Sequence, residues 1–565
     1  MSDSEKLSLT ISEFEFNSGD TLSIAPNEIV VFVGPNNAGK SVTLKEVYSF
    51  VKDIELDRKI ITSVTYTKTG SKSSLEQLLQ NISKREKKYG DSFYFTGPGF
   101  DFPEYRLSDW ESVGSGIKDL APIFLKLLGT EERLLAIKPP ESINLASEIA
   151  THPIHNLQKD DSLEAKFSGF FRQAFGWDLI VHRNNGKTVP LYVGDKPTPP
   201  VGGDRLSIEY IRALEKLDPL HEQGDGMKSF VGVLLNVFIA NQQLFLVDEP
   251  EAFLHPPQAR LLGKMLVNNL PTGRQLFVST HSEDFLKGLI NEKTGNVKVI
   301  RIIREGNINR VCQLDSSQIA EIWKDPTLRH SNVLSGLFHS KVVVCEGDGD
   351  CRFYSTVLAA NAELNGSTYS DTLFINSGGK HKMHIIINAL VKMNVEVHAI
   401  VDFDIFESLE VLEKIYVALG HDWSDIKKQC QKVKQNILSK IKPIYKVDIE
   451  KRISDILQAC DTAIVPDDVI EKLKEVLRGT GTGSLAKIMG AHSISSGEPT
   501  RIYEEVNMHL RTVRLHVVEV GILENFVKKF SGHGPKWLDP VMEKDFVTDP
   551  DLEKARSFIS AIGIH

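Results

Sequence analysis

One stretch constrains this chain more than any other: EIVVFV at 28–33, GPNNAGKS at 34–41, then VTLKEVYSF. Apolar strand, glycine-framed loop and helix, in that order, is the context a phosphate-binding loop requires. Gly34 and Gly39 let backbone N–H groups curl around phosphate oxygens, with Asn36 and Asn37 in the same turn. Lys40 would neutralise the β- and γ-phosphates of ATP, and the Ser41 hydroxyl would reach Mg2+. The flanking elements agree with the loop, so the spacing points to an α/β fold built on a nucleotide site.

A second element supports it. LFLVDEPEAFLHP spans 244–256, a buried strand with Asp248 and Glu249 at its tip. Asp248 would hold Mg2+ through water, and Glu249 would orient or deprotonate the attacking water. A third strand, QLFVST at 275–280, ends in His281, placed for the γ-phosphate. HEQGDGMKSF at 221–230 precedes the apolar run VGVLLNVFIA, so Gly226 and Lys228 fit a phosphate contact at a helix N-terminus. GPNNAGKS, LVDEPEAFLHP and FVSTHS together resemble the ABC-type ATPases of the SMC and RecF kind. That resemblance implies two heads sandwiching ATP, with each head's signature loop completing the other's site. The serine usual in that signature is absent here.

The second half changes character at KVVVCEGDGD, 341–350. Four apolar residues deliver Glu346 to a strand tip, beside Gly347 and more acids. RFYSTVLAANAEL (352–364) reads as a helix, TLFINSGGK (372–380) as strand and glycine turn, and HKMHIIINALVKMN (381–394) as a helix. VEVHAIVDFDIF (395–406) reads as a strand ending in Asp402 and Asp404, which share a side only if the chain stays extended. Strand, helix, strand, helix, strand predicts a small parallel sheet, with chemistry beyond its carboxyl ends. Carboxylates gathered there would repel one another without a cation, and hard oxygen ligands point to Mg2+ or Mn2+.

Glu346-Gly347, Gly378-Gly379 and Asp402-Phe403-Asp404 resemble the Toprim domain of topoisomerases, bacterial primases and certain nucleases. Asp350 would be a further acid of that site. An ABC-type ATPase followed by Toprim resembles the OLD nucleases, which include the Gabija nuclease subunit and some retron effectors. VVEVGILENF (517–526) resembles that family's last acidic motif. The resemblance makes Glu524 a metal ligand, Glu519 a further candidate, and Lys536 in GHGPKWLD a stabiliser of transition-state charge. It also implies a homodimer or higher even-numbered oligomer, and a partner defence subunit such as a helicase or a reverse transcriptase with its RNA.

The expected organisation is an ATPase domain over 1–335, with an inserted helical or dimerisation arm at about 67–205. A Toprim domain over 338–565 follows, with a helical insertion at about 407–515. KREKK at 84–88 reads as a solvated helix face. A net charge of −9 argues against coating nucleic acid by bulk charge, so DNA would need a local basic surface. Lys427, Lys428, Lys432, Lys434, Lys440, Lys442 and Lys446 offer one, with a solvated helix face as the alternative. The five cysteines show no CxxC spacing, the start lacks a signal pattern, and the apolar stretch 230–247 is broken by Asn and Gln. A cytoplasmic protein away from membranes is expected. The function these features imply is an ATP-regulated, metal-dependent DNA endonuclease of anti-phage defence. The alternatives are an ATPase sensor or scaffold, or a RecF-like repair ATPase, whose Toprim part binds rather than cuts.

Overall fold

Ile29–Val33 is buried at every position, as a strand paired on both edges requires. In the computed structural model it lies inside a six-stranded sheet of order Ile308–Leu314, Val297–Glu305, Ile29–Val33, Gln275–Ser279, Leu244–Asp248 and Leu125–Leu128. All neighbours run parallel except Ile308–Leu314, which caps one edge antiparallel. The structure describes residues 7–54, 57–89, 91–112, 117–290, 296–314, 328, 332–440, 446–460, 465–478, 483–530 and 532–564. It divides into two compact units, residues 1–321 and 322–565. No helix among the described residues is long and apolar enough to cross a membrane.

In the first unit a three-stranded antiparallel sheet, centred on Ser8–Phe16, joins the core of the main sheet. Phe14 packs on Phe32 and Phe277, with ring centroids 6.5 and 5.5 Å apart. The segment 67–205 differs from a helical arm. Leu125–Leu128 inside it pairs with Leu244–Val247 and forms the far edge of the main sheet. An apolar LKLL run satisfies its backbone by extending that sheet, so this part of the segment belongs to the ATPase core. KREKK is also not helical. Lys84–Lys88 is an exposed strand paired with Ser92–Gly97, and Arg85 lies over the Phe93 ring at 3.8 Å. Its charges are solvated as expected, but the aromatic strand beside it supplies the pairing that a lone helix face would lack.

The second unit holds a fully parallel sheet of order Thr372–Asn376, Lys341–Cys345, Glu396–Asp402 and Leu515–Val518. The first three are the strands read from the sequence. The fourth arrives only after a helical excursion running from Leu409–Ala418 to Glu498–Thr512. Within that excursion Lys427–Ser439 buries Cys430, Val433 and Ile437, exposes Lys427, Lys428 and Lys432, and leaves Lys434 half-buried. It packs against the 3-10 turn Phe403–Glu407. Lys442 lies outside the described residues.

Candidate functional site

The nucleotide loop is shaped by two glycines that nothing larger can replace. Gly34 has φ +146°, and a Cβ there would lie 2.2 Å from the Ile302 carbonyl oxygen. Gly39 caps the helix Lys40–Lys52 in the left-handed region, where a Cβ would meet the Ile60 side chain. Asn37 also takes a left-handed φ of 62°. A loop this tightly curled is a cradle that fits a phosphate. Lys40 donates to the Gly34 and Pro35 carbonyls at 2.8 Å each, the acceptors it would leave for phosphate oxygens.

Ser41 donates to Asp248 Oδ1 at 2.7 Å, so the two groups expected at one cation stand in contact. Ser279 donates to the same oxygen. Glu249 sits at φ +48°, a costly conformation for a non-glycine residue and one that recurs at functional sites. His281 Nε2 lies 3.3 Å from Glu249 Oε1. Burial, reinforced by Lys40, pushes the His281 pKa down, so the imidazole is neutral at pH 7. Lys228 is held 2.6 Å from Asp225 in the first turn of its helix. A Cβ on Gly226 would meet the Phe253 carbonyl at 2.7 Å, so that helix start lies against the strand-tip loop.

Two residues here have no role that the sequence motifs assign. Arg133 is fully buried and bonds the Asp248 carbonyl, Ser229 of the signature helix, and Thr130. Glu251 accepts from Thr280 and the His281 N–H at 2.6 and 3.0 Å, and burial raises its pKa to about 7. Arg133 lies in EERLL, which has no recognisable spacing. Glu251 lies two residues beyond Glu249, and its place as a third acid of that run is the one hint it offers.

In the second unit, Glu346 follows the strand Lys341–Cys345 and Asp402 ends the strand Glu396–Asp402, at the carboxyl edge of the sheet. Ligand atoms of Glu346, Asp402 and Asp404 all lie within 4.8 Å of one another. The chain does not stay extended between the two aspartates. A 3-10 turn begins at Phe403, and it folds Asp404 back to the cluster because Phe403, Ile405 and Phe406 bury on its other side. Glu346 Oε1 accepts from the Asp402 N–H at 3.2 Å. The Gly379 N–H donates to the Glu346 carbonyl at 2.8 Å, which locks the glycine turn onto the same strand tip.

Burial raises the pKa of Glu346, with Asp404 adding to it. Asp402 is raised well above the ordinary carboxylate range by burial and by Glu346, Asp350 and Asp404. Asp350 caps the Gly347 N–H at 2.8 Å, and burial lifts it to about 6. Lys380 and Lys487 lie 2.7 and 3.5 Å from Asp404 Oδ2, while Asp404 Oδ1 is buried with no hydrogen-bond partner. An orphaned buried oxygen inside an all-carboxylate set fits a hard divalent cation. Neither lysine belongs to a motif of the sequence. Lys380 follows the glycine turn directly, whereas Lys487 comes from the helical excursion and is remote in sequence.

Glu524 is placed near this group, close enough that its charge raises the Asp350 pKa. Its Oε1 accepts from His533 and the Gly534 N–H at 3.2 and 3.3 Å. Lys536 lies on the helix that starts at Pro535, just beyond Gly534. Glu519 is not brought to the cluster. Its carboxylate accepts from Asn507 and, at 2.8 Å, from Arg511, both on the helix Glu498–Thr512. The strand Leu515–Val518 ends one residue earlier, so Glu519 turns toward that helix.

Comparison with known proteins agrees with both halves. The family described as "AAA domain, putative AbiEii toxin, Type IV TA system" matches residues 144–286. The family described as "Overcoming lysogenization defect protein-like, TOPRIM domain" matches residues 337–404. Old nuclease of Escherichia phage P2 is 28% identical over 178 residues, which spans 30% of this chain and 29% of that protein. An SMC head bound to the C-winged helix domain of ScpA aligns with 56% of this chain and 99% of its own, at 10% identity and a TM-score of 0.34. The SMC head domain from Thermotoga maritima aligns with 55% of this chain and 99% of its own, at 11% identity and a TM-score of 0.28. The chain thus joins an AAA-type ATPase domain to an OLD-like TOPRIM domain.

Proposed function

We propose that this protein is an ATP-regulated, metal-dependent DNA endonuclease acting in anti-phage defence. The observation that carries the reading is the convergence of Glu346, Asp402 and Asp404 at the carboxyl edge of an OLD-like TOPRIM sheet. The defence role rests on the domain pair alone. The ATPase part is assigned to residues 1–335 and the nuclease part to 338–565.

Glu346, Asp402 and Asp404 would hold Mg2+ or Mn2+, with Asp350 and Glu524 beside them, to activate water and neutralise charge on the scissile phosphate. Lys380 and Lys487 pair with Asp404 and fix its orientation. Lys536 would lie against the nonbridging oxygens of the phosphodiester. Hydrolysis then leaves a nick, or a break where two sites act on opposite strands. The lysines of Lys427–Ser439 supply a basic face on a helix that packs beside the Asp404 turn, which suits a DNA backbone.

In the first unit, Lys40 would exchange the Gly34 and Pro35 carbonyls for ATP phosphates. Ser41 and Asp248 are paired for the magnesium that accompanies ATP. Glu249 would orient the attacking water, with neutral His281 holding Glu249 in place. Gly226 and Lys228 would face the nucleotide of a second copy, making the working form a dimer or a larger even-numbered assembly. ATP binding by paired heads would govern access of DNA to the nuclease site.

Supercoiled plasmid, incubated with protein and Mg2+ or Mn2+, with and without ATP, tests this directly. Cleavage is expected from wild type and not from Glu346→Gln, while Lys40→Ala should change the response to ATP. Equal cleavage by Glu346→Gln would sink the nuclease assignment.

A further inference from the structure

Behind the ATPase sheet lies a cavity of about 660 Å³ that the nucleotide loop does not touch. Its floor is the edge strand Leu125–Leu128, and its walls include Tyr48 and Lys52 from the far end of the P-loop helix. A volume of this size suits an organic ligand rather than a few waters. Three features of the lining describe that ligand.

The first is a pair of unanswered acceptors. Asn236 is 1% exposed, and its amide nitrogen donates to the Gly232 carbonyl at 2.7 Å. Gln242 likewise donates to the Pro122 carbonyl at 2.9 Å. Those bonds fix which end of each amide is oxygen. Both oxygens, Asn236 Oδ1 and Gln242 Oε1, are buried without a hydrogen-bond partner. Buried acceptors of this kind call for N–H donors. Asn236 also sits in a π-helical turn, Leu235–Ile239, and such turns concentrate at functional sites.

The second is a cation in the same wall. The Lys126 amino group has no hydrogen bond or ion pair among the described residues, and burial lowers its pKa. Glu132 is the acid nearest in effect, but it makes no ion pair with Lys126, and its Oε2 accepts the Gly129 N–H at 2.9 Å. His152 Nδ1 accepts the Ile154 N–H, which leaves Nε2 as a donor. Burial holds that imidazole neutral, near a pKa of about 4. An anionic group would satisfy Lys126 and His152 together. The third feature is apolar: Tyr48, Phe100 and Leu127 offer faces for a flat ring.

We propose that this cavity is a second ligand site, separate from the P-loop, for a nucleoside monophosphate with an amino-substituted base. The phosphate pairs with Lys126 and the amino group serves the Asn236 and Gln242 oxygens. Its walls include the P-loop helix and Glu132, the neighbour of Arg133, so occupancy bears on the Asp248 strand tip.

The test is equilibrium dialysis of the full chain carrying Lys40→Ala, which weakens phosphate binding at the P-loop. The probes are AMP and inorganic phosphate. Saturable binding of roughly one AMP per chain at millimolar or better affinity is expected. Lys126→Met should weaken it about tenfold or more, the scale of a charge-assisted hydrogen bond. Ala150→Trp, which fills the cavity from its wall, should abolish it. Melting curves establish that both variants fold. AMP binding that survives Lys126→Met and Ala150→Trp overturns the proposal, as does its absence from the Lys40→Ala protein. Inorganic phosphate binding as tightly as AMP overturns the nucleoside assignment. None of these outcomes depends on plasmid cleavage, so the nuclease reading stands or falls separately.

Discussion

Glu346 shows how much one side chain decides. Its carboxylate is held beside Asp402 and Asp404, and burial first, then repulsion from Asp404, raises its pKa. Glu346→Gln removes one carboxylate of the proposed cation site and relieves that repulsion. Cleavage should fall by roughly 100-fold or more, at the upper end of what groups supporting a metal site contribute. The metal-free protein should melt slightly higher, not lower, and a lower melting temperature would contradict the electrostatic account. The pH dependence follows with its sign. A carboxyl whose folded pKa exceeds its unfolded value penalises the folded state above the folded pKa, and the penalty fades as pH falls through it. For Asp350 the folded value is about 6, against an unfolded value near 3.8. The metal-free carboxyl cluster should therefore destabilise less as pH drops from about 7 to about 5. Urea midpoints of wild type minus Glu346→Gln across that range isolate the effect, and added Mg2+ at a mildly alkaline pH should erase it.

At the scale of elements, two contacts hold the nucleotide site in shape. Gly34→Ala puts a Cβ into the Ile302 carbonyl of the neighbouring strand and forces a left-handed-region φ on alanine. It should cost about 1–3 kcal/mol in stability and abolish ATP binding, as read by denaturant melts and nucleotide titration. Arg133 ties the signature helix to the carbonyl of Asp248. Arg133→Met should lower ATPase kcat by roughly tenfold with a smaller change in KM, because it loosens the strand tip while leaving the phosphate loop intact. A change in KM alone would contradict that role. The helix Lys427–Ser439 is legible in the sequence as a basic amphipathic stretch, since Cys430, Val433 and Ile437 recur at helical spacing. Its packing against the Asp404 turn is not, because nothing local in the sequence names its partner.

For the whole molecule, a net charge of −9 means that DNA affinity has to come from a small part of the surface. Replacing Lys427, Lys428, Lys432 and Lys434 by Glu should weaken DNA binding strongly at low salt. The slope of log K against log salt should become shallower by about 0.9 for each DNA phosphate that the helix no longer neutralises. An unchanged slope would assign those lysines to a merely solvated face. ATP hydrolysis should be unaffected when measured without DNA.

The strand tips are set by local sequence alone. Short apolar runs ending in GPNNAGKS, in Asp248-Glu249, in Glu346-Gly347 and in Asp402 announce buried parallel strands, because a strand covered on both faces reads as a continuous apolar run rather than an alternating one. The pairing of Ser41 with Asp248 and the gathering of Glu346 with Asp402 follow from strand order. Tertiary structure alone decided the rest. Leu125–Leu128 is a short LKLL run whose place at the sheet edge depends on Leu244–Val247. KREKK became a strand because its neighbour is an aromatic strand. Glu519 and Glu524 sit five residues apart in one acidic motif, yet Asn507 and Arg511 claim the first while the Gly534 turn leaves the second near Asp350. Arg133 and Lys487 reach their sites from segments with no motif at all. Spacing along the chain encodes what a strand or helix does with its own residues, but contacts between distant segments depend on which surfaces fit together once those elements exist.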